Sequence, residues 1–296
     1  MNGDTSTPTP VTAAPPPPQK PRRRVSRTAC LVLIALAAPL LLYLEVGKPT
    51  LSADPVLAPI ISMTLTRLIG AVVFFALLLS EGYRVLNPLA KPFGRSFFFI
   101  LPPLAVVVNN FPILALLWGE ATVVYDAPVY WVWFALECLA IGLFEEAAFR
   151  GVILLIFAER RYRTRGGLFL SIILTSAVFG LVHLFNLFVG ADPVGVLMQI
   201  GYSFLIGAMC AVVLFKTRNL WLCVILHALF DFGGKLIDTL GEGAIWNPPT
   251  VIFTAVLAVV VTAYMVWQFW RIRPEEIEPI YGTHPSEISH PDVPAA

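Results

Sequence analysis

Charge is what this sequence has least of. Charged residues are 13% of its 296 positions and apolar ones 57%, where a soluble domain carries about 25% charged residues. That shortage excludes an ordinary soluble globular fold. The formal net charge is only +1, and no basic stripe lies outside the loops, so nucleic acid is not an expected partner. Cysteine and histidine are scarce too, at four each. Cys30, Cys138, Cys210 and Cys223 lie in or beside apolar runs without metal-type or redox-type spacing, and read as small core hydrophobes. A His-Glu-x-x-His run is absent, which removes the local zincin signature. No internal repeat is strong enough to support an inverted-repeat transporter.

What the chain has in abundance is apolar runs of membrane-spanning length. Mean hydropathy is +0.78, and eight stretches qualify: 28–46, 56–80, 97–118, 127–157, 167–190, 194–215, 219–238 and 250–270. With backbone groups unable to find water in lipid, such runs form helices. The expected fold is all-α, a polytopic membrane bundle of about eight transmembrane helices. The fourth run is too long for one perpendicular helix and is expected to tilt or to end along the interface. The first is followed by no small-residue cleavage site and reads as a span rather than a signal peptide. Residues 1–27, rich in Pro and Arg, and the polar, Pro-bearing 274–296 are expected to be disordered tails. The chain therefore divides into a tail (1–27), N-terminal spans (28–126), a core bearing buried charge (127–240), a last span (250–273) and a second tail (274–296).

The loops support this alternation. One set carries Arg84, Lys91, Arg95, Arg160, Arg161, Arg163, Arg165, Lys216 and Arg218, and both tails add further cations. The other set holds Lys48 against Asp54, Glu120, Asp126, Asp192, Asp238 and Glu242. By the positive-inside bias, this is an integral, multi-pass protein of the cell (plasma) membrane with both termini cytoplasmic.

Against that apolar background, Phe144-Glu145-Glu146-Ala147-Ala148-Phe149-Arg150-Gly151 stands out. A charge at the centre of a span costs on the order of 2.5–3.5 kcal/mol by insertion scales, which makes it a functional-site hypothesis. Glu146 and Arg150 are four apart and share a helix face. Glu145 points about 100° away from Glu146, with no partner in its own turn. Desolvation would then raise it towards the range of a general base. The pair Glu146–Arg150 is also readable as an ion pair tying helices together. His183, with Phe179 one turn earlier, lies in the fifth span and is readable as packing or as a proton carrier. His227 and Asp231, in the seventh span, share a face, as do Asp231 and Lys235. They are readable as a jointly lined cavity, as an Asp231–Lys235 pair with His227 incidental, or as part of a metal site, since histidines and glutamates are ordinary zinc ligands. Arg67, Asn109, Asn110, Glu137 and Asn186 are further intramembrane polar residues, with Glu137 expected to be supporting or structural. Two of four histidines on separate late spans beside Glu-Glu-x-x-x-Arg point to three helices converging on one wet pocket. Depth argues against it: His183 lies some 16 residues into its span, roughly 24 Å, and His227 about half as deep. They meet only if the fifth helix starts late, tilts, or follows an interfacial segment.

Taken together, Glu145-Glu146 with Arg150, Phe179 with His183, and His227 with Asp231 resemble the successive motifs of the CAAX prenyl protease type II and bacteriocin-processing (Abi, or CPBP) intramembrane proteases. The resemblance covers about residues 127–240, which it marks as the catalytic core. It implies an eight-helix-type fold with a conical, cytosol-accessible cavity. It implies an intramembrane endopeptidase in which Glu145 activates the attacking water and His183 helps hold it. His227 and Asp231 would stabilise the oxyanion, with Glu146, Arg150 and Phe179 as supports. The expected partners are membrane lipid and a peptide or protein substrate, prenylated or bearing a leader. The resemblance favours a metal-independent glutamate mechanism without cofactor; were zinc bound, Glu145, His183 and His227 would hold it. Asp231 departs from the Asn of the eukaryotic prenyl proteases, and a carboxylate donates a hydrogen bond only when protonated. Two other functions fit the same buried charges: a non-catalytic immunity or scaffold protein of this fold, and a proton-coupled transporter. The transporter would need broken helices in both halves, and Pro102-Pro103 and Pro112 are the only hint.

Overall fold

The fold is described from a computed structural model, for residues 50–281 and for 28, 29, 32, 33, 35–37, 39, 40 and 43 of the preceding stretch. The 1–27 tail, most of the first expected span and residues beyond 281 lie outside the described residues.

The rest is helical. In chain order the helices are α1 (Leu57–Glu81), α2 (Phe93–Asn109), α3 (Ile113–Trp118) and α4 (Pro128–Glu145). A π-helical segment, Glu146–Ile153, and α5 (Leu154–Glu159) continue α4 without a break. Then come α6 (Arg165–Leu181), a 3-10 segment (Val182–Val189), α7 (Pro193–Thr217), α8 (Leu220–Leu240), α9 (Pro248–Trp270) and α10 (Pro274–Tyr281). The two short strands, β1 (Ala121–Val123) and β2 (Gly241–Gly243), pair antiparallel with Thr122 opposite Glu242. Six of the described helical stretches are long and apolar enough to cross a membrane, so this is an all-α polytopic membrane bundle. The continuous rod from Pro128 to Glu159 is not among the six.

Local sequence explains where helices begin. Thr164, Asp192, Asn219 and Asn247 each cap a helix by accepting from a backbone N–H two or three residues on. Pro193 and Pro248 follow directly, at positions whose N–H would have no partner in any case. Pro112 separates α3 from α2, because the residue before a proline is pushed out of the helical region.

Two ends are closed by different chemistry. At the arginine-rich end, the 82–92 loop folds under α8: Leu220 N donates to Val85 O at 2.9 Å and Trp221 Nε1 to Leu86 O at 3.0 Å. α10 packs there as well, with Ile277 and Ile280 fully buried and the Tyr281 hydroxyl donating to Leu155 O at 3.2 Å. The tail expected to be disordered from 274 is therefore helical to 281, because its two isoleucines, three apart, find an apolar seat among Tyr83, Leu155 and Tyr162. At the acidic end, β1 and β2 pair, Asn247 Nδ2 donates to Glu120 at 2.7 Å, and the Tyr130 hydroxyl donates to Asp54 at 2.6 Å. That hydroxyl holds the Asp54 carboxyl below its usual range.

The apolar core has two parts. The larger fills the arginine end between α1, α5, α7 and α8 and is made of residues such as Leu78, Leu154, Leu155, Leu214, Phe215 and Leu220. The smaller joins α1, α4 and α8 at the acidic end through Ile60, Phe134, Cys138, Ile237 and Leu240. Polar side chains collect between them.

Candidate active site

Glu145 ends α4 and Glu146 opens the π-helical segment. A π turn holds an extra residue, which re-aims the side chains that follow, and such turns recur at functional sites. Here the adjacent carboxylates meet opposite ring nitrogens of His227. Glu146 is fully buried and Arg150 nearly so. Arg150 Nη1 lies 2.9 Å from Glu146 Oε1, and the guanidinium carbon stands 4.2 Å from the Phe179 ring centroid. This is an ion pair rather than a well-aligned hydrogen bond, since the guanidinium Nη atoms lack hydrogen-bond partners. Gly207 of α7 leaves room for the stack: a Cβ there would stand 3.2 Å from both Arg150 Nη2 and Phe179 Cδ1.

The same Oε1 of Glu146 lies 2.6 Å from His227 Nδ1. A carboxylate only accepts, so Nδ1 carries the proton and donates it to this bond. His227 Nε2 is thereby aimed away from Glu146, 3.5 Å from Glu145 Oε2 and 3.7 Å from Asp231 Oδ2. Close α4–α8 packing makes the arrangement possible. Gly142, four residues before Glu146, faces α8 so tightly that a Cβ would meet Val224 O at 2.9 Å.

His183 belongs to the 3-10 segment after α6. Its Nδ1 lies 3.0 Å from Phe179 O and 3.3 Å from Gly180 O. Carbonyls only accept, so Nδ1 again carries a proton, and in the neutral ring Nε2 is left as an acceptor. The Phe179 ring sits between the two histidines, with centroids 5.5 Å from His183 and 5.9 Å from His227. The depth mismatch between the two is removed by where their helices start. α6 begins at exposed Thr164 and Arg165, outside the packed core, whereas α8 begins at buried Asn219 and Leu220.

Glu145, His183, His227 and Asp231 line one cavity of about 220 Å³, room for several waters at roughly 30 Å³ each. A larger apolar groove of about 670 Å³, bordered by Leu68, Val72, Phe75 and Leu143, lies on the outer side of α1 and holds none of these polar groups.

Sequence reasoning named Arg67 and Asn186 only as intramembrane polar residues, and missed other members of the site. Arg67 of α1 lines the cavity and its guanidinium carbon lies 5.3 Å from the Phe144 ring centroid. Gln199, Tyr202 and Ser203 of α7 line it too, and Gln199 accepts from Asn186 Nδ2 at 2.8 Å. Polar residues at Gln199 and Ser203 inside a span were the available signal. Lys235 pairs with Glu137 of α4 at 2.5 Å, so the Asp231–Lys235 pair is not what forms. Asn109 and Asn110 are structural, donating to Thr254 Oγ1 and to Phe230 O.

The donors expected for a metal are not gathered. Among the described residues the group of three Cys, His, Asp or Glu donors within 4.8 Å of one another is Glu146, Cys210 and Cys223. His183 therefore stands more than 4.8 Å from at least one of the facing Glu145 and His227 atoms.

Residues 127–233 match the family model described as type II CAAX prenyl endopeptidase, Rce1-like. This segment is similar to that family. No curated protein and no solved structure matches the chain. The matched segment takes in Glu145, Glu146, Arg150, Phe179, His183, His227 and Asp231, and leaves out Arg67 and Lys235.

Proposed function

We propose that this protein is an intramembrane endopeptidase in which Glu145 is the general base. The observation that carries the proposal is the convergence of Glu145 Oε2, His227 Nε2 and Asp231 Oδ2 on one hollow, with the far side of His227 pinned by a buried carboxylate. His183 Nε2 accepts a hydrogen from a water in the cavity and holds it near Glu145. Glu145 removes a proton as that water attacks the carbonyl carbon of the scissile amide. Charge grows on the carbonyl oxygen and is met by Nε2–H of His227 in its imidazolium form, whose Nδ1–H stays bonded to Glu146. One such donor in a dry site is typically worth about 10²–10³ in rate. The tetrahedral intermediate collapses by breaking its C–N bond, and Glu145 returns the proton to the leaving amine. Asp231 keeps Nε2 oriented and balances its charge. Arg150 stays paired with Glu146, whose Oε1 is the acceptor that faces Nδ1 of His227. No step requires a metal or cofactor.

The chain sits in the cell membrane with its arginine-rich end cytoplasmic, on the strength of the loop charges. The test is a comparison of membrane-proteome terminal peptides from cells carrying the protein, Glu145→Ala and His227→Ala. New termini that vanish in both variants, with insertion and abundance unchanged, are the expected result; the same termini in all three would remove the assignment.

A further inference from the structure

The arginine-rich end carries a charged cluster that the proposed chemistry does not use. Stretches far apart in the chain meet there: the loop before α2, the α7–α8 junction, the end of α9, and α10. Lys91 Nζ lies 3.3 Å from Glu276 Oε2, and Lys216 Nζ lies 3.8 Å from the same oxygen. Lys216 also donates to Arg271 O at 2.9 Å, and Arg218 Nη2 donates to Ala90 O, beside Lys91, at 2.9 Å. The two lysine side chains are only 18% and 13% exposed, so both ammonium groups have lost much of their water.

One shared carboxylate is little for such a surface. Arg95 and Arg218 act on Lys91, and Arg95 and Arg271 act on Lys216, with Glu276 opposing them. Burial pulls the Lys91 ammonium below its usual range; Glu276 works against that shift, and Arg218 and Arg95 add to it. Glu275 and Glu278 are exposed and stand about 100° and about 200° around α10 from Glu276, so they do not share its direction. An ammonium offers three donors, and Lys91 gives one, to Glu276, among the described residues. Lys91, Arg95, Lys216, Arg218 and Arg271 thus gather round a single bridging carboxylate with donors to spare, a basic pocket of the kind that takes a phosphate.

Depth decides what kind of phosphate. Trp267 and Trp270 stand exposed in the last turn of α9, and the Arg271 guanidinium carbon lies 4.7 Å from the Trp267 ring centroid. Exposed tryptophans at the end of a span mark the headgroup level of a bilayer. Deeper along α2 and α9 the surface is apolar: Phe98, Leu101, Val256 and Val260 are exposed. The Tyr264 hydroxyl, donating to Phe99 O at 3.2 Å, holds α9 beside α2. Cations at headgroup depth above an apolar helix pair suit a molecule with an anionic head and acyl chains.

We propose that Lys91 and Lys216 bind the phosphate of an anionic phospholipid, with Arg95 and Arg271 at its rim and the acyl chains along α2 and α9. The site stands whether or not Glu145 is the base. Because Glu276 belongs to α10, whose Ile277 and Ile280 fill the arginine-end core, a lipid held there also steadies α10 in its seat.

The test titrates the purified full-length protein in detergent with phosphatidylglycerol or phosphatidylcholine, read by native mass spectrometry and thermal unfolding. Wild type is expected to bind phosphatidylglycerol about tenfold or more tighter than phosphatidylcholine, and to unfold at a higher temperature in its presence. Each cation near an anionic headgroup is worth roughly fivefold in affinity, so Lys91→Gln with Lys216→Gln should weaken phosphatidylglycerol roughly 25-fold. Arg95→Gln with Arg271→Gln should do the same; both side chains are exposed, so this pair decides the matter if the lysine pair fails to fold. Arg160→Gln with Arg161→Gln removes exposed cations from the same end but outside the cluster, and should leave the affinity unchanged. Equal weakening by that control pair means diffuse surface charge and overturns the site. So does equal binding of the two lipids by wild type, or a thermal shift reproduced in full by inorganic phosphate alone.

Discussion

The two adjacent glutamates should fail in different ways when neutralised, and the difference is large enough to measure. Glu146 is fully buried, and one of its oxygens serves both Arg150 at 2.9 Å and His227 at 2.6 Å. Glu146→Gln keeps the shape but removes the charge. The amide's single oxygen then has two claimants, and its NH₂ group meets a guanidinium it cannot satisfy. Arg150 becomes an uncompensated buried cation, and breaking a buried pair from one side typically costs about 3–5 kcal/mol. For a chain of this size that is a fall in Tm of roughly 10 °C. Turnover falls as well, because His227 loses the carboxylate that orients it and balances its imidazolium; the comparable change in a serine-protease triad costs about 10⁴ in kcat. Glu145 has no such partner: its nearest contact is His227 Nε2 at 3.5 Å, and it faces the hollow. Glu145→Gln should abolish cleavage and leave Tm within about 2 °C, since the Glu145 side chain, 16% exposed, faces the hollow and approaches His227 only at 3.5 Å. The assays are thermal unfolding of the detergent-solubilised protein and cleavage of peptides identified from the terminal comparison. Equal Tm for the two variants would refute the asymmetric pairing. Retained turnover in Glu145→Gln would refute the general-base role.

Other outcomes follow from the same geometry. Gly142→Ala puts a Cβ against Val224 O and the Ala228 backbone, which should cost about 1–3 kcal/mol by overpacking and lower activity by parting Glu146 from His227; an unchanged Tm would mean that α4 and α8 pack more loosely than described. Ile280→Ala removes a fully buried side chain of α10 from the arginine-end core and should cost about 2–5 kcal/mol, with kcat per folded molecule unchanged. Truncation after residue 273 should do the same and more; normal stability in the truncated chain would show α10 to be dispensable. Chelators are expected to leave cleavage unaltered, and loss of activity restored by added zinc would reassign Glu145, His183 and His227 as metal ligands.

Much of this was written in the linear chain. Runs of apolar residues near 20 long can only become helices in lipid, and the loop charges alternate with them, so the bundle and its two unlike ends were legible at once. So were the residues in lipid-bound stretches that cost most to leave there, Glu145, Glu146, Arg150, His183 and His227. The spacing of four also identified the Glu146–Arg150 pair, because helix periodicity alone places those side chains together. What the chain could not say is which partner each group meets across helices. Glu146 takes His227 as well as Arg150, and Lys235 takes Glu137 rather than Asp231, because contacts between helices depend on rotation and depth that no spacing within one helix records. The π turn at Glu146 and the late start of α8 inside the core are of this kind. Each follows from how close two backbones can come, at Gly142 and Gly207 above all, and that is decided only when the helices pack.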